Sequence, residues 1–310
     1  MKYIVATEDK IRYWWEILTQ INNFKRIGLD SDLIYLVGTS TDKLSTALSH
    51  IKFHTGVEIH GYKDGRNKNV LYNPTIRPYV IKKFLYEKYK NEKSEPFMYL
   101  DTDVLLLKNP KNVINWKNDV WYLSDTKSYI NSKYIKNKSV ELFKEMCDIV
   151  DVDFKLIEDN DNNAGGAQYV IKNTDWKFWD KVEKDSEDLY RHMVTTSNKY
   201  NPQHPIQAWT ADMWSVLWNG IRSGHKMSVV KPMDFLWATD SIKKCNLQTY
   251  YLYHNAGVTN QSKLFYKGKY VNRSPFYDDL SWVDKDYCSS FYVDEIINTK
   301  KNYPELTKFI

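Results

Sequence analysis

Two carboxylates interrupt an apolar run at residues 95–110, EPFMYLDTDVLLLKNP. Phe97 to Leu100 lead into Asp101 and Asp103, and Val104 to Leu107 lead out. A buried charge is costly unless it is paired or bound to metal. The run is therefore either an exposed turn between two apolar segments or a carboxylate pair with a cationic partner. Two carboxylates separated by one residue can point toward the same mouth of a sheet. Mg²⁺ and Mn²⁺ are hard cations that take oxygen ligands and often bridge substrate phosphates, and such an ion neutralises a leaving diphosphate. His254, in YLYHNAG, also follows an apolar stretch and is the candidate third ligand, although a lone histidine is more often structural. A transfer reaction needs a base for the incoming hydroxyl. Asp212, in AWTADMWSVLWNG, is the conspicuous choice, with favourable placement of a carboxylate near a helix N-terminus as the equally weighted alternative.

The elements that must position these groups are legible in the pattern. Lys2 to Ala6 reads as a short buried strand. Residues 10–27 carry apolar residues at helical spacing and stop at Gly28, and residues 32–38 read as a second strand. This strand–helix–strand opening is the unit of a parallel sheet with crossover helices. A helix over LSTALSHIKF, a strand over GVEIHGY and a helix beginning near Pro78 continue the alternation. In open α/β sheets ligands bind beyond the carboxyl ends of strands, and Asp101 and Asp103 follow the strand FMYL. Further on, SVELFKEMCDIV reads as a helix and DNDNNAGGAQYVIKN as a turn running into a strand. The segment from Thr174 to Thr196 reads as a helix capped by Thr174. Another helix covers AWTADMWSVLWNGIRSG, with strands at KMSVVKP and YYLYHNAG. The fold class expected is α/β, an open mixed sheet flanked by helices, with residues 1–275 as one domain and 276–310 as a C-terminal extension packed on it.

Bulk properties narrow the class. The 310 residues suit one large domain or two small ones, with enough chain for a real core. The 44 basic and 39 acidic residues leave a formal charge of +5, which permits a nucleic-acid partner without demanding one. The 24 tyrosines and 11 tryptophans fill cores but also stack on sugars and bases. Cys147, Cys245 and Cys288 are widely spaced and point to neither a disulfide framework nor a zinc site. MKYIVATEDK is too short an apolar start for a signal peptide, and no run reaches membrane-spanning length. The expected compartment is the cytoplasm.

Several stretches together resemble one family. The Asp-x-Asp signature is similar to that of GT-A glycosyltransferases, which use nucleotide-sugar donors, and the closer likeness is to the hydroxyproline O-arabinosyltransferase-like group. It is carried by YIVATEDKIRYWWEILTQINNF, by TIRPYVIKKFLYEKYKNEKSEPFMYLDTDVLLLKNP, by GGAQYVIKNTDWKFWDKV followed by AWTADMWSVLWNG, and by DFLWATD followed by YLYHNAG. These blocks span roughly residues 2–258. The resemblance implies a Rossmann-like GT-A sheet, a divalent metal (Mn²⁺ or Mg²⁺) and a UDP-pentose or related UDP-sugar donor. It implies that Asp103 coordinates metal with His254, that Asp101 faces the donor and shares the metal site, that Arg77 and Thr7 lie on the donor, and that Asp212 is the base of an inverting displacement. The plant-type block has Glu-Pro-Asp-His where this chain has Asp101, Thr102, Asp103 and Val104, which leaves the sugar open. The plant enzymes also enter the secretory pathway through an anchor, whereas relatives encoded by bacteriophages modify hydroxymethylated pyrimidines in DNA within the host cytoplasm.

The activity expected from these readings is transfer of a sugar, arabinose first, from a UDP-sugar to 5-hydroxymethylcytosine in DNA, by a monomer or small homo-oligomer with no membrane partner. Lys263, Lys267, Lys269 and Arg273, interleaved with Phe265, Tyr266 and Tyr270, are the candidate DNA-facing residues, with an ordinary solvated loop as the alternative. Two rivals remain: transfer to a protein or polysaccharide hydroxyl, and an inactive GT-A module that only binds.

Overall fold

The structure is a computed structural model that describes residues 1–90, 92–245, 249–260 and 263–310. Its strands are β1 (Lys2–Glu8), β2 (Leu33–Thr39), β3 (Glu58–Lys63), β4 (Phe97–Leu100), β5 (Val104–Leu106), β6 (Val120–Asp125), β7 (Gly165–Ile171), β8 (Lys226–Val229), β9 (Phe235–Trp237) and β10 (Leu252–His254). The helices in the first half are α1 (Ile11–Ile27), α2 (Thr46–Thr55), α3 (Ile76–Tyr89), α4 (Lys127–Ile130), α5 (Ser132–Lys136) and α6 (Val140–Val150). Those in the second are α7 (Phe154–Asp159), α8 (Trp176–Thr196), α9 (Ala211–Arg222), α10 (Ile242–Cys245), α11 (Ser289–Asn302) and α12 (Pro304–Thr307). The chain divides into two compact units. The first holds Met1–Lys63, Leu100–Asn115 and Pro232–Ile310, and the second Asp64–Tyr99 and Trp116–Lys231.

In the first unit β1 and β2 pair in parallel, Tyr3 opposite Leu33, and β2 pairs in parallel with β3, Ile34 opposite Glu58. All seven residues of β2 are buried, as expected for a parallel strand covered on both faces. Helix α1 supplies the crossover. Its end is set by Gly28, whose φ of +74° is the left-handed conformation that a glycine adopts without strain, and whose N–H closes on Lys25 and Phe24 carbonyls. A small second sheet has the order β5-β10-β9. The segment 276–310 belongs to this unit: Glu295 of α11 accepts from Asn22 Nδ2 at 2.6 Å and from Arg26 at 2.8 Å, tying α11 to α1. Trp15 is buried edge-on against Phe265, Tyr270 and Tyr292.

In the second unit β4 and β6 both run antiparallel to β7, and β8 runs parallel to β6. The architecture is thus mixed α/β: β1, β2 and β3 pair in parallel in the first unit, whose small sheet sets β5 antiparallel and β9 parallel to β10, and the second unit has both kinds of pairing. Gly165 leaves no room for a side chain between β7 and β6: a Cβ there would lie 2.6 Å from both Leu123 Cβ and the Ser124 carbonyl. Helices α8 and α9 are joined by Asn219, which donates to Asp185 at 2.7 Å, and α3 and α8 by Lys82, which bridges to Asp180 and Glu183.

Several details differ from the pattern reading. Helix α8 is capped by Asp175, whose carboxylate accepts from Phe178 N–H; Thr174 instead accepts from the Trp179 indole. The YYLYHNAG strand shrinks to Leu252–His254. Strands β6 and β9 were not foreseen, because each is short and flanked by polar residues that mask its apolar core.

Candidate active site

Asp101 is the residue after β4, and Asp103 the residue before β5. The β5–β10 register then decides which side chain meets them. His254 stands opposite Val104 in the antiparallel pair, and the Asn255 N–H donates to the Asp103 carbonyl at 3.1 Å. This places His254 Nε2 3.3 Å from Asp103 Oδ1 and 3.7 Å from Asp101 Oδ2. The imidazole is held from its other side by β9, where Trp237, its register partner, lies nearly parallel to it and Phe235 meets it edge-on at 5.2 Å. One donor atom from each of Asp101, Asp103 and His254 falls within 4.8 Å of the others. Two carboxylates and an imidazole form a donor set suited to a divalent ion such as Mn²⁺.

A fourth group stands in the cluster. Lys267 Nζ donates to Asp103 Oδ2. Burial works to raise the Asp103 pKa, but Lys267 and then His254 outweigh it and hold the carboxyl far below the usual range. Burial likewise works against the Lys267 ammonium, and Asp103 and Glu16 overcome it and raise its pKa. Glu16 is the third carboxylate of this neighbourhood. It is fully buried on α1, accepts from the Thr102 hydroxyl and faces Arg12 one turn away. Burial, followed by the nearby Asp103 charge, pushes its carboxyl up.

Glu16 is one rung of a polar ladder along α1. Residues 12, 16 and 20 are spaced one helical turn apart and so lie on one face, with Asn23 completing the row. Gln20 Nε2 donates to the carbonyls of Asp101 at 2.9 Å and Val104 at 2.7 Å, and its Oε1 accepts from Tyr35 at 2.8 Å. Asn23 exchanges two hydrogen bonds with Leu106, accepting from its N–H at 2.8 Å and donating to its carbonyl at 3.0 Å. β5 is an edge strand with β10 on one side only. Backbone groups on a buried edge need partners, and α1 supplies them as side-chain amides. The ladder therefore fixes the backbone that carries both aspartates. At the end of β1, Thr7 is buried and its hydroxyl has no hydrogen-bond partner among the described residues; the Asn255 side-chain N–H₂ beside His254 is in the same state.

In the second unit Asp212 lies in the first turn of α9. Tyr72 O–H is 2.7 Å from Asp212 Oδ1 and 2.5 Å from the Trp209 carbonyl, and Arg77 approaches Asp212 Oδ2 at 3.4 Å. Tyr72 is itself fixed: the Glu187 carboxylate accepts from the N–H groups of Leu71 and Tyr72, and Tyr190 stacks on the ring at 4.7 Å. Burial first, and then the Asp212 charge, push the Tyr72 phenol well above its usual pKa. A neutral phenol has one proton for two oxygens. It donates to the carboxylate while Asp212 is ionised, and is free to donate to the Trp209 carbonyl once Asp212 carries a proton of its own. Both protonation states of Asp212 thus have a partner.

Known structures share this architecture. A superposition on the WbbM bifunctional glycosyltransferase covers 99% of this chain at 10% identity with a TM-score of 0.52; the chain spans about half the length of that protein, 51%. The galactosyltransferase LgtC matches over 98% of this chain and 99% of its own at 11% identity and a TM-score of 0.46. The glycosyltransferase GlyE of Streptococcus pneumoniae TIGR4 matches over 98% and 63% at 11% identity and 0.46. The fold is that of the GT-A glycosyltransferases. No family model and no curated protein matches the sequence.

On this GT-A framework the expected ligands Asp101, Asp103 and His254 converge in the first unit, with Thr7 at the end of β1, while Asp212 and Arg77 meet in the second. Of the basic residues expected to face DNA, Lys263, Lys269 and Arg273 are exposed and Lys267 is turned inward. Lys267 is turned onto Asp103, Phe265 and Tyr270 are buried, and Arg273 pairs in a fork with Asp278 at 2.7–2.8 Å. Lys263 is exposed, and Lys269 lies over the Trp282 ring at 5.0 Å. Glu16, Gln20, Asn23, Thr102, Tyr72 and Trp237 escaped the sequence reading. The one available signal was polar residues at four-residue spacing inside the otherwise apolar first helix.

Proposed function

We propose that this chain is a metal-dependent glycosyltransferase that takes a sugar from a UDP-sugar and delivers it to a hydroxyl. The observation that carries the reading is the convergence of Asp101, Asp103 and His254 beyond the strand ends of a GT-A fold. Asp101, Asp103 and His254 are the groups that would hold a divalent ion. Such an ion, when bound, supplies positive charge to the diphosphate leaving group. Lys267 offers a second positive charge, and the unpartnered Thr7 hydroxyl a hydrogen bond to the nucleotide. Asp212 accepts the proton of the acceptor hydroxyl as that oxygen attacks the anomeric carbon and UDP departs, and Tyr72 keeps its proton and turns its O–H to donate to the Trp209 carbonyl. Release of UDP from UDP-sugars, measured with Mn²⁺ and with EDTA, tests the donor half. No Mn²⁺-dependent release from any of UDP-arabinose, UDP-glucose and UDP-galactose would count against it.

For the acceptor, the sequence resemblance supports 5-hydroxymethylcytosine in DNA, with arabinose as the sugar. Mass spectrometry of nucleosides from cells that co-express a hydroxymethylating system tests this pair directly. Transfer to a saccharide hydroxyl is the second reading. What favours it is the withdrawal of Lys267, Phe265 and Tyr270 from the surface expected to face DNA.

A further inference from the structure

Five of the tryptophans are among the largest fully buried side chains. Trp209 is the opposite case at 62% exposed. Its indole has no hydrogen bond, ring contact or cation over it among the described residues. Trp282, at 40%, is by contrast covered by Lys269. An exposed indole leaves a large apolar face in water, and the residue is an efficient stacking surface for a flat or ring-shaped ligand.

The position of Trp209 is set by the groups around the candidate base. It lies three residues before Asp212, in the single turn Ala208–Thr210 that leads into α9. Its carbonyl is held by Tyr72 O–H, the same hydroxyl that meets Asp212 Oδ1. The preceding loop is also fixed at its base. Asn201 takes a left-handed φ of +51°, and its side chain accepts from His204 N–H. The Gln207 N–H donates to the Tyr134 hydroxyl, and Thr210 Oγ1 donates to the Gln207 carbonyl. The polar side chains that this loop exposes are those of Gln203, His204 and Gln207, without a side-chain partner among the described residues, and Pro202 and Pro205 are exposed beside them in sequence. An exposed indole in a loop that also carries exposed amide and imidazole side chains offers what a ring bearing several hydroxyl or amide groups needs: a stacking face and hydrogen-bonding groups.

We propose that Trp209 is the platform of the acceptor subsite, on which the ring carrying the accepting hydroxyl lies face-down, with Gln203, His204 and Gln207 at its edge. This deepens the proposed function and rests on Asp212 as the base. The shared chemistry is a ring face with a polar rim, which a pyranose and a 5-hydroxymethylpyrimidine both present.

The test measures binding of two probes, methyl β-D-galactopyranoside and 5-hydroxymethyl-2′-deoxycytidine, by saturation-transfer NMR on the full chain with Mn²⁺ and UDP. The proteins compared are wild type, Trp209→Ala and Trp209→Phe. The expected result is ring-proton saturation of one probe by the wild type. Trp209→Ala should weaken that binding roughly ten- to a hundredfold, the range of one lost stacking contact, while Trp209→Phe keeps most of it. Which probe binds identifies the acceptor as sugar or base. Melting temperatures check that the variants are folded, which an exposed side chain allows. Equal binding by wild type and Trp209→Ala overturns the platform, and so does failure of both probes to bind the wild type. UDP release by the wild type, followed in parallel, reports on the donor reading separately, so that its failure is not mistaken for failure of the platform.

Discussion

Lys267→Met isolates the positive charge that stands on Asp103. The substitution keeps the length of the aliphatic stem and removes the ammonium. In the wild type the Lys267 side chain is 25% exposed and that of Asp103 only 3%, so the pair is close to a buried one. Breaking such a pair by removing one partner costs about 3–5 kcal/mol. Because Lys267 keeps some contact with water, and His254 remains beside the carboxylate, the low end of about 3 kcal/mol is expected. At roughly 2 °C per kcal/mol for a chain of this size, the variant should melt about 6 °C below the wild type without metal. The pH dependence follows from the two shifts. The depressed Asp103 carboxyl contributes stability that is present above its unfolded pKa of about 4 and is lost as pH falls. The raised Lys267 pKa contributes stability that is present below its unfolded value of about 10.4 and is lost as pH rises through the folded one. The difference between the proteins should therefore be flat from about pH 5 to 10 and shrink on both sides. Mn²⁺ should restore the variant, gaining about 2.7 kcal/mol at a hundred times its Kd, and should raise its melting temperature more than that of the wild type, where Lys267 competes for the same carboxylate. Differential scanning fluorimetry across pH, with and without MnCl₂, reads all of this. Equal melting of the two proteins at pH 7 without metal, or equal gains with it, would refute the reasoning.

Asp103→Ala should abolish the Mn²⁺-dependent part of UDP binding while the chain remains folded; unchanged calorimetric affinity with Mn²⁺ and with EDTA would remove Asp103 from the site. Asp212→Asn is close to isosteric and should bind UDP-sugar normally but transfer about 10²–10⁴-fold more slowly; a wild-type rate would leave Asp212 as only a helix-start carboxylate. Gln20→Leu removes a donor from the Asp101 and Val104 carbonyls and an acceptor from the Tyr35 hydroxyl; Asp101 keeps the Val104 N–H and Tyr35 keeps the Ile17 carbonyl, so a loss of about 1–3 kcal/mol is expected, read as a lower urea midpoint, and a midpoint within error would show that the β5 edge finds other partners.

What could be read from the sequence depended on whether a signal was local. The Asp101–Asp103 run announced itself because charge in an apolar stretch demands a partner, and His254 shared its setting at the end of an apolar stretch. Gly28 was legible as a helix stop because the left-handed φ that it adopts is a property of one residue. The partner of Asp103 was not legible: Lys267 lies 164 residues away and reads as one more surface lysine in a basic stretch. The α8 cap slid by one residue because Thr174 and Asp175 are both good caps, and the choice between them depends on the Trp179 indole that occupies the threonine.

The least legible part was α1, and the reason is instructive about what that helix does. Its apolar residues recur at helical spacing, a pattern that by itself assigns the polar residues between them to water. In the structure Glu16, Thr19, Gln20, Asn22 and Asn23 are all buried, because two further surfaces close over the helix. One is α11, which places Glu295 against Asn22 and Arg26. The other is the 101–106 segment, whose carbonyls at Asp101, Val104 and Leu106 each need a donor. A three-residue strand with a single sheet neighbour cannot satisfy its outer edge with backbone partners, so the donors must be side chains of fixed length on a rigid element. Amides at positions 20 and 23, one turn apart on a helix, meet that requirement. Two carboxylates can then stand in the middle of an apolar run because the backbone on either side of them is held by α1, so that both face His254 and Asp103 also meets Lys267.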